Sequence, residues 1–191
     1  MKSLILALVL AVCGAPVLAD SYSATLTGAQ EATPNASPAI GAAIVTFDVT
    51  SHTLTVGTVF TDLLGTVTAA HIHCCVAPPA TAGVATMVPT FTGFPSGVSE
   101  GTYLMSFDTS LASTWNATFI ANNGGTTAGA EAALLAGLDA GMAYLNIHTT
   151  LYPGGEIRGF LAPAPVPEPA SAMMLLLGVP LAIGIARRRR T

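Results

Sequence analysis

Between Tyr22 and Ala162 the apolar side chains fall mostly on alternate residues, in short runs broken by turn-forming residues. A two-residue period puts one face of a strand on a core and the other in water, whereas a helix would need a period near 3.6. The runs Tyr22 to Gly28, Ala42 to Val49 and Leu54 to Thr61 follow this pattern, and Thr50 to Thr53 makes the last two a hairpin. Asp62 to Gly65 turns the chain into Val67 to Cys74, and a Pro/Gly/Ala-rich loop covers Val76 to Gly83. Further strands are expected at Ala85 to Phe91, Thr102 to Phe107, Thr114 to Ile120, Met142 to Thr149 and Glu156 to Ala162. One segment departs from the alternation: Thr127 to Gly141 is rich in Ala and Leu. It sets Ala133, Leu134 and Leu138 on one helical face, with Gly141 as a stop. Many short strands with a single helix predict a mainly β domain, a β-sandwich or Greek-key barrel spanning residues 20–162.

The two ends read as addresses. Residues 1–19 have Lys2, a short apolar run and Val17-Leu18-Ala19 before Asp20, the layout of a secretory signal peptide. Cys13 follows Val12, which is too bulky to precede a lipidated cysteine, so a lipoprotein anchor is set aside. At the other end, residues 163–170 form a Pro-rich linker, 171–186 an apolar segment and 187–191 an arginine-rich tail. The segment is somewhat short for a span, Pro180 interrupts it, and the arginines behind it hold that end in the cytoplasm. Val166-Pro167-Glu168-Pro169, the apolar run and the arginines closely resemble the PEP-CTERM sorting signal of Gram-negative bacteria. That resemblance implies a transient inner-membrane anchor, an exosortase-type processing enzyme as partner, and delivery to the cell surface or medium. Exopolysaccharide or other surface components would be the partners met there.

Nearly all basic charge sits in those ends. Between Asp20 and Pro165, Arg158 faces nine acids, a net charge near −8, against −4 for the full chain. Nucleic-acid binding is excluded, because it needs a basic face to neutralise phosphates. No nucleophile elbow, phosphate loop or ordered acid–base pair occurs, so no catalytic residues are assigned and a non-enzymatic role is expected.

The chemistry-bearing residues are few. His71 and His73 share one face of their strand, Asn146 and His148 share one face of another, and pairing those faces would gather three imidazoles. Neutral imidazole nitrogen suits copper or zinc, and three such ligands need one more donor or a water. The competing reading gives the histidines hydrogen bonds to backbone or to Glu156, with a purely structural role. Cys74 and Cys75, in an oxidising compartment, have three outcomes open: a vicinal disulfide, pairing with another chain, or one of them joining the metal as a soft ligand. His52 sits in the hairpin turn and is expected to be solvated. Glu156 and Arg158, two apart on one face, are expected to pair or to contact the His148 loop.

Three motifs, LTGAQEATP (from Leu26), TAAHIH (from Thr68) and AYLNIHTTLYPGGEIRG (from Ala143), resemble the CHRD (chordin-type) domain in order and spacing, from about Leu26 to Leu161. The resemblance implies an extracellular immunoglobulin-like β-sandwich with no agreed activity in bacterial members. Cys74-Cys75 departs from the Gly-Pro usual at that place. The His-x-His strand, the later histidine and Arg158 are also similar to the copper site of copper–zinc superoxide dismutase. Two functions are therefore expected. The first is a non-enzymatic surface or matrix-associated binding or structural domain. The alternative is a secreted copper-binding protein using His71, His73 and His148, with superoxide-dismutase-like redox activity.

Overall fold

The computed structural model describes residues 19–164. The expected signal peptide, the Pro-Glu-Pro motif, the apolar segment at 171–186 and the arginine tail lie outside them, Ala19 and the first two linker residues excepted. No helix among the described residues is long and apolar enough to cross a membrane.

The alternating runs become β1 (Asp20–Thr27), β2 (Ile40–Asp48), β3 (Thr53–Thr61), β4 (Val67–His73), β5 (Gly101–Asp108), β6 (Tyr144–Thr149), β7 (Ile157–Phe160) and β8 (Ala162–Pro163). They form one antiparallel sheet in the order β4-β6-β7-β1-β2-β3-β5, with β8 added beside β1. A mainly β domain, a β-sandwich or Greek-key barrel, is expected from the sequence. What forms is a single sheet that curls, so that its distant ends share one core. Leu54 and Val56 of β3 and Ala70 and Ile72 of β4 are all fully buried in the same cluster. The twist of each strand pair accumulates into that curl.

The β2–β3 hairpin forms as its sequence requires. Asp48 Oδ1 accepts from the backbone N–H of Thr50 and Ser51, and His52 takes a positive φ of 52°. His52 is half exposed, as expected of a turn residue, and its Nδ1 also lies 2.8 Å from Glu131 Oε1, a partner the sequence did not signal. Glu131 also accepts from the Thr109 hydroxyl.

Two expected strands do not form. Residues 85–91 make only one isolated bridge, Thr86 to Trp115, since Pro89 has no N–H for a ladder. The segment instead lies along the free edge of β4, where Phe91 N–H bonds Ala70 O and Ala85 N–H bonds Ile72 O, so that edge is covered. Thr114 to Ile120 turns helical as α1 (Ala117–Asn122). Asn116 accepts from Thr118 N–H as its cap, and Trp115 stacks on Phe119 one turn later at 6.0 Å. Side-chain capping competed with the β-propensity of Thr, Trp and Phe there, and won.

The expected helix is present as α2 (Thr127–Asp139), capped by Thr126 Oγ1 on Gly129 N–H and stopped before Gly141 at φ 63°. Ala130, Leu134 and Leu138 enter the core, and Asp139 accepts from Tyr22 of β1 at 2.6 Å. Gly137 meets the sulfurs of Cys74 and Cys75, which are bonded to each other. A Cβ built at Gly137 would stand 2.6 Å from Cys75 Sγ and closer still to Cys74 Sγ. Gly137→Ala would gain about 1 kcal/mol of helix propensity. The overlap with a rigid disulfide costs about 1–3 kcal/mol. We expect a net loss of stability in urea unfolding; a variant more stable than the wild type would mean α2 shifts freely over the disulfide.

Candidate metal centre

Strands β4 and β6 pair with Ala69 opposite His148, His71 opposite Asn146 and His73 opposite Tyr144. On β7, Arg158 stands opposite Asn146 and Phe160 opposite Tyr144. One face of these three strands (Ala70, Ile72, Leu145, Ile147, Ile157) is therefore core. The other carries His71, His73, Tyr144, Asn146, His148, Arg158 and Phe160. It is roofed by loops, so most of this polar face is buried as well.

The three histidines come together. Their ring centroids are 5.3 Å (His71–His148), 5.8 Å (His71–His73) and 5.8 Å (His73–His148) apart, nearly an equilateral triangle. Each ring gives one N–H to a loop carbonyl: His71 Nε2 to Pro89 O at 2.6 Å, His73 Nδ1 to Ala82 O at 3.0 Å, His148 Nδ1 to Pro153 O at 2.9 Å. A carbonyl only accepts, so each bond fixes the tautomer and leaves a lone pair on the other nitrogen. Those nitrogens, His71 Nδ1, His73 Nε2 and His148 Nε2, are buried and have no partner. One ligand atom from each ring lies within 4.8 Å of the other two. Metal–nitrogen bonds of about 2.0–2.1 Å would require each to move inward by less than about 1 Å.

Burial lowers the pKa of all three rings, that of His73 to about 4 even though its bond to Ala82 opposes the shift. Neutral imidazole is the ligating form. The His73 ring stacks on Tyr144 at 4.8 Å, and the Arg158 guanidinium lies 4.7 Å from the centre of the same Tyr144 ring.

Several sequence expectations change here. Glu156 bonds none of the histidines; its carboxylate accepts from Ser37, Leu64 N–H, Gly65 N–H and Thr149. Arg158 does not pair with Glu156. It is buried and donates to Gln30 O, Pro79 O and Ala80 O, and its nearest carboxylate is Glu31 at 3.9 Å. β4 ends at His73, so Cys74 and Cys75 do not alternate across the sheet. Both sulfurs turn to α2 beside Ala133 O, in a disulfide that stands outside the three-histidine group. Sequence reasoning missed Tyr144 and Glu31. Tyr144 was findable, because the alternation that groups Asn146 with His148 also includes it. Burial pushes the Glu31 carboxyl up to about 7 against the pull of Arg158, and nothing local in the sequence signals that.

The fold and site define a curled antiparallel β-domain with a buried triangle of neutral histidines. By sequence, the chain belongs to the CHRD domain family, whose model matches residues 22–161. Residues 165–190 match the PEP-CTERM protein-sorting motif, which implies exosortase-dependent export and membrane-anchored transit to the cell surface. No curated protein and no solved structure shows significant similarity to the chain.

Proposed function

We propose that this protein is an exported, surface-sorted domain that acts without enzymatic turnover and holds a transition metal ion, copper, on His71, His73 and His148. The observation that carries the reading is the set of three buried, partnerless ring nitrogens whose opposite N–H groups are each held by a backbone carbonyl. Buried polar atoms are rarely left unpaired, and three aimed together call for a shared partner. Ligating histidines almost always donate their second nitrogen to such an acceptor. A purely structural role would explain the three carbonyl bonds but leave the three facing lone pairs without purpose. The non-enzymatic part rests on access: a substrate would have to reach nitrogens that the loops around Ala82, Pro89 and Pro153 keep from solvent.

Metal analysis of the exported protein, purified from its producing cells without chelator, tests this directly. About one copper per chain is expected. His148→Ala should lower the metal content at least tenfold while the β-type circular dichroism spectrum persists. Protein that is metal-free as isolated and takes up no added copper would leave only the surface-sorted structural domain. Cell fractionation tests the location separately: an unprocessed chain retained in the cytoplasm would remove the export half of the reading.

A further inference from the structure

The charge and ligand count of the site bear on which ion it takes. His71, His73 and His148 supply three neutral nitrogens and no negative charge. The two cysteines next to His73 are spent on a disulfide and offer no thiolate. Glu156 already accepts four hydrogen bonds, and Glu31 lies beside Arg158. A fixed cation, Arg158, lies over the Tyr144 ring that stacks on His73.

We infer that the three-histidine site selects monovalent copper over zinc and other divalent ions; this rests on the metal-binding reading above. The cost of taking an ion out of water rises with the square of its charge. A divalent ion on neutral ligands therefore loses far more hydration free energy than a monovalent one in a dry pocket. Coordination number points the same way. Zinc takes a fourth ligand and divalent copper a tetragonal set, whereas three nitrogens in a triangle complete the shell of monovalent copper. Among the described residues no further His, Cys, Asp or Glu joins the group. A water in that place would need room and further polar partners. The neighbouring Asn146 Oδ1 and Glu31 Oε1 are also buried without partners. Both are packed under Gly155, where a Cβ would lie 2.6 Å from Asn146 Oδ1 and 2.7 Å from Glu31 Oε1, which leaves little room there for a water.

The test uses the full exported protein, stripped of metal and handled without oxygen. Monovalent copper is added as its acetonitrile complex, so that no reductant opens the disulfide, and mass spectrometry verifies that the disulfide stays intact. Competition with chromophoric chelators for each ion should give a dissociation constant for monovalent copper at least about a hundredfold below that for zinc, a factor of ten in affinity being 1.4 kcal/mol. X-ray absorption should show three nitrogen ligands. His148→Ala, with its thermal melt checked against the wild type, should weaken copper binding by at least about a hundredfold. Zinc bound equally or more tightly, or a fourth oxygen ligand on the bound ion, would overturn the selectivity and leave the metal-binding reading standing. Full copper affinity in His148→Ala would place the ion elsewhere and overturn both. Binding of neither metal would remove the site itself.

Discussion

Replacing Glu156 by glutamine is expected to lower the unfolding free energy by about 3–4 kcal/mol in a denaturant titration. The carboxylate is fully buried and gathers four donors from three parts of the chain. Oε1 accepts from Ser37 Oγ and Leu64 N–H, both at 2.6 Å, while Oε2 accepts from Gly65 N–H at 3.0 Å and Thr149 Oγ1 at 2.7 Å. A glutamine of the same shape would turn an NH2 group toward one backbone N–H and one hydroxyl. The hydroxyl can rotate to accept from it, but the buried N–H loses its acceptor, and the other two bonds lose their charge. The same bonds govern the pH response. Burial pushes the Glu156 carboxyl up, but the bonds from Ser37, Leu64, Gly65 and Thr149 outweigh it and hold the group below its ordinary 4.5. The folded value being the lower one, this stabilisation is present above pH 4.5 and disappears as pH falls through the folded value. Glu31 shifts the opposite way. The quantity to measure is therefore the stability difference between wild type and Glu156→Gln, in which Glu31 cancels. It should be constant near neutrality and shrink in acid. A difference under about 1 kcal/mol at pH 7, or one that grows in acid, would show that the four bonds do not anchor the 62–65 turn.

What could be read from the sequence follows a physical boundary. Local periodicity located β1 to β4, β5, β6 and β7, the hairpin and α2, because each depends on residues within one element. It also grouped His71 with His73 and Asn146 with His148, since alternation is a property of a single strand. Periodicity does not say which loop lies over a strand. The carbonyls of Ala82, Pro89 and Pro153, which orient the three rings, belong to segments with no pattern of their own. Nor does it distinguish one curled sheet from two. Val45 is fully buried and Ile44 is 58% exposed, yet both are apolar, so the sequence of β2 does not declare its inner face. Of the two outcomes expected for Glu156 and Arg158, the pair does not form, while Glu156 does reach the His148 loop through Thr149. Charge in a sequence suggests exposure, but a buried charge is stable when hydrogen bonds reach it from distant parts of the chain.

Arg158→Lys should destabilise the domain by about 2–4 kcal/mol although it preserves the charge. The guanidinium is 1% exposed and works as a plane with donors on three atoms. Nε reaches Gln30 O at 2.5 Å, Nη2 reaches Pro79 O at 2.6 Å and Nη1 reaches Ala80 O at 3.3 Å, while the plane lies over Tyr144 and Phe160. A lysine ammonium is one point at the end of a flexible stem. It could serve one of those carbonyls well, leaving the others buried and unpaired. The loop held by Pro79 O and Ala80 O also supplies Ala82 O, the acceptor that fixes the His73 tautomer. Loosening it should release the His73 ring, so copper affinity should fall together with stability, even though Arg158 is not itself a ligand. Urea unfolding and copper competition on the same variant separate the possibilities. A loss of stability with copper affinity unchanged would mean the loop does not orient His73. Unchanged stability would mean the carbonyls find water in place of the guanidinium, and the idea of Arg158 as the clamp between β7 and the 76–83 loop would fail.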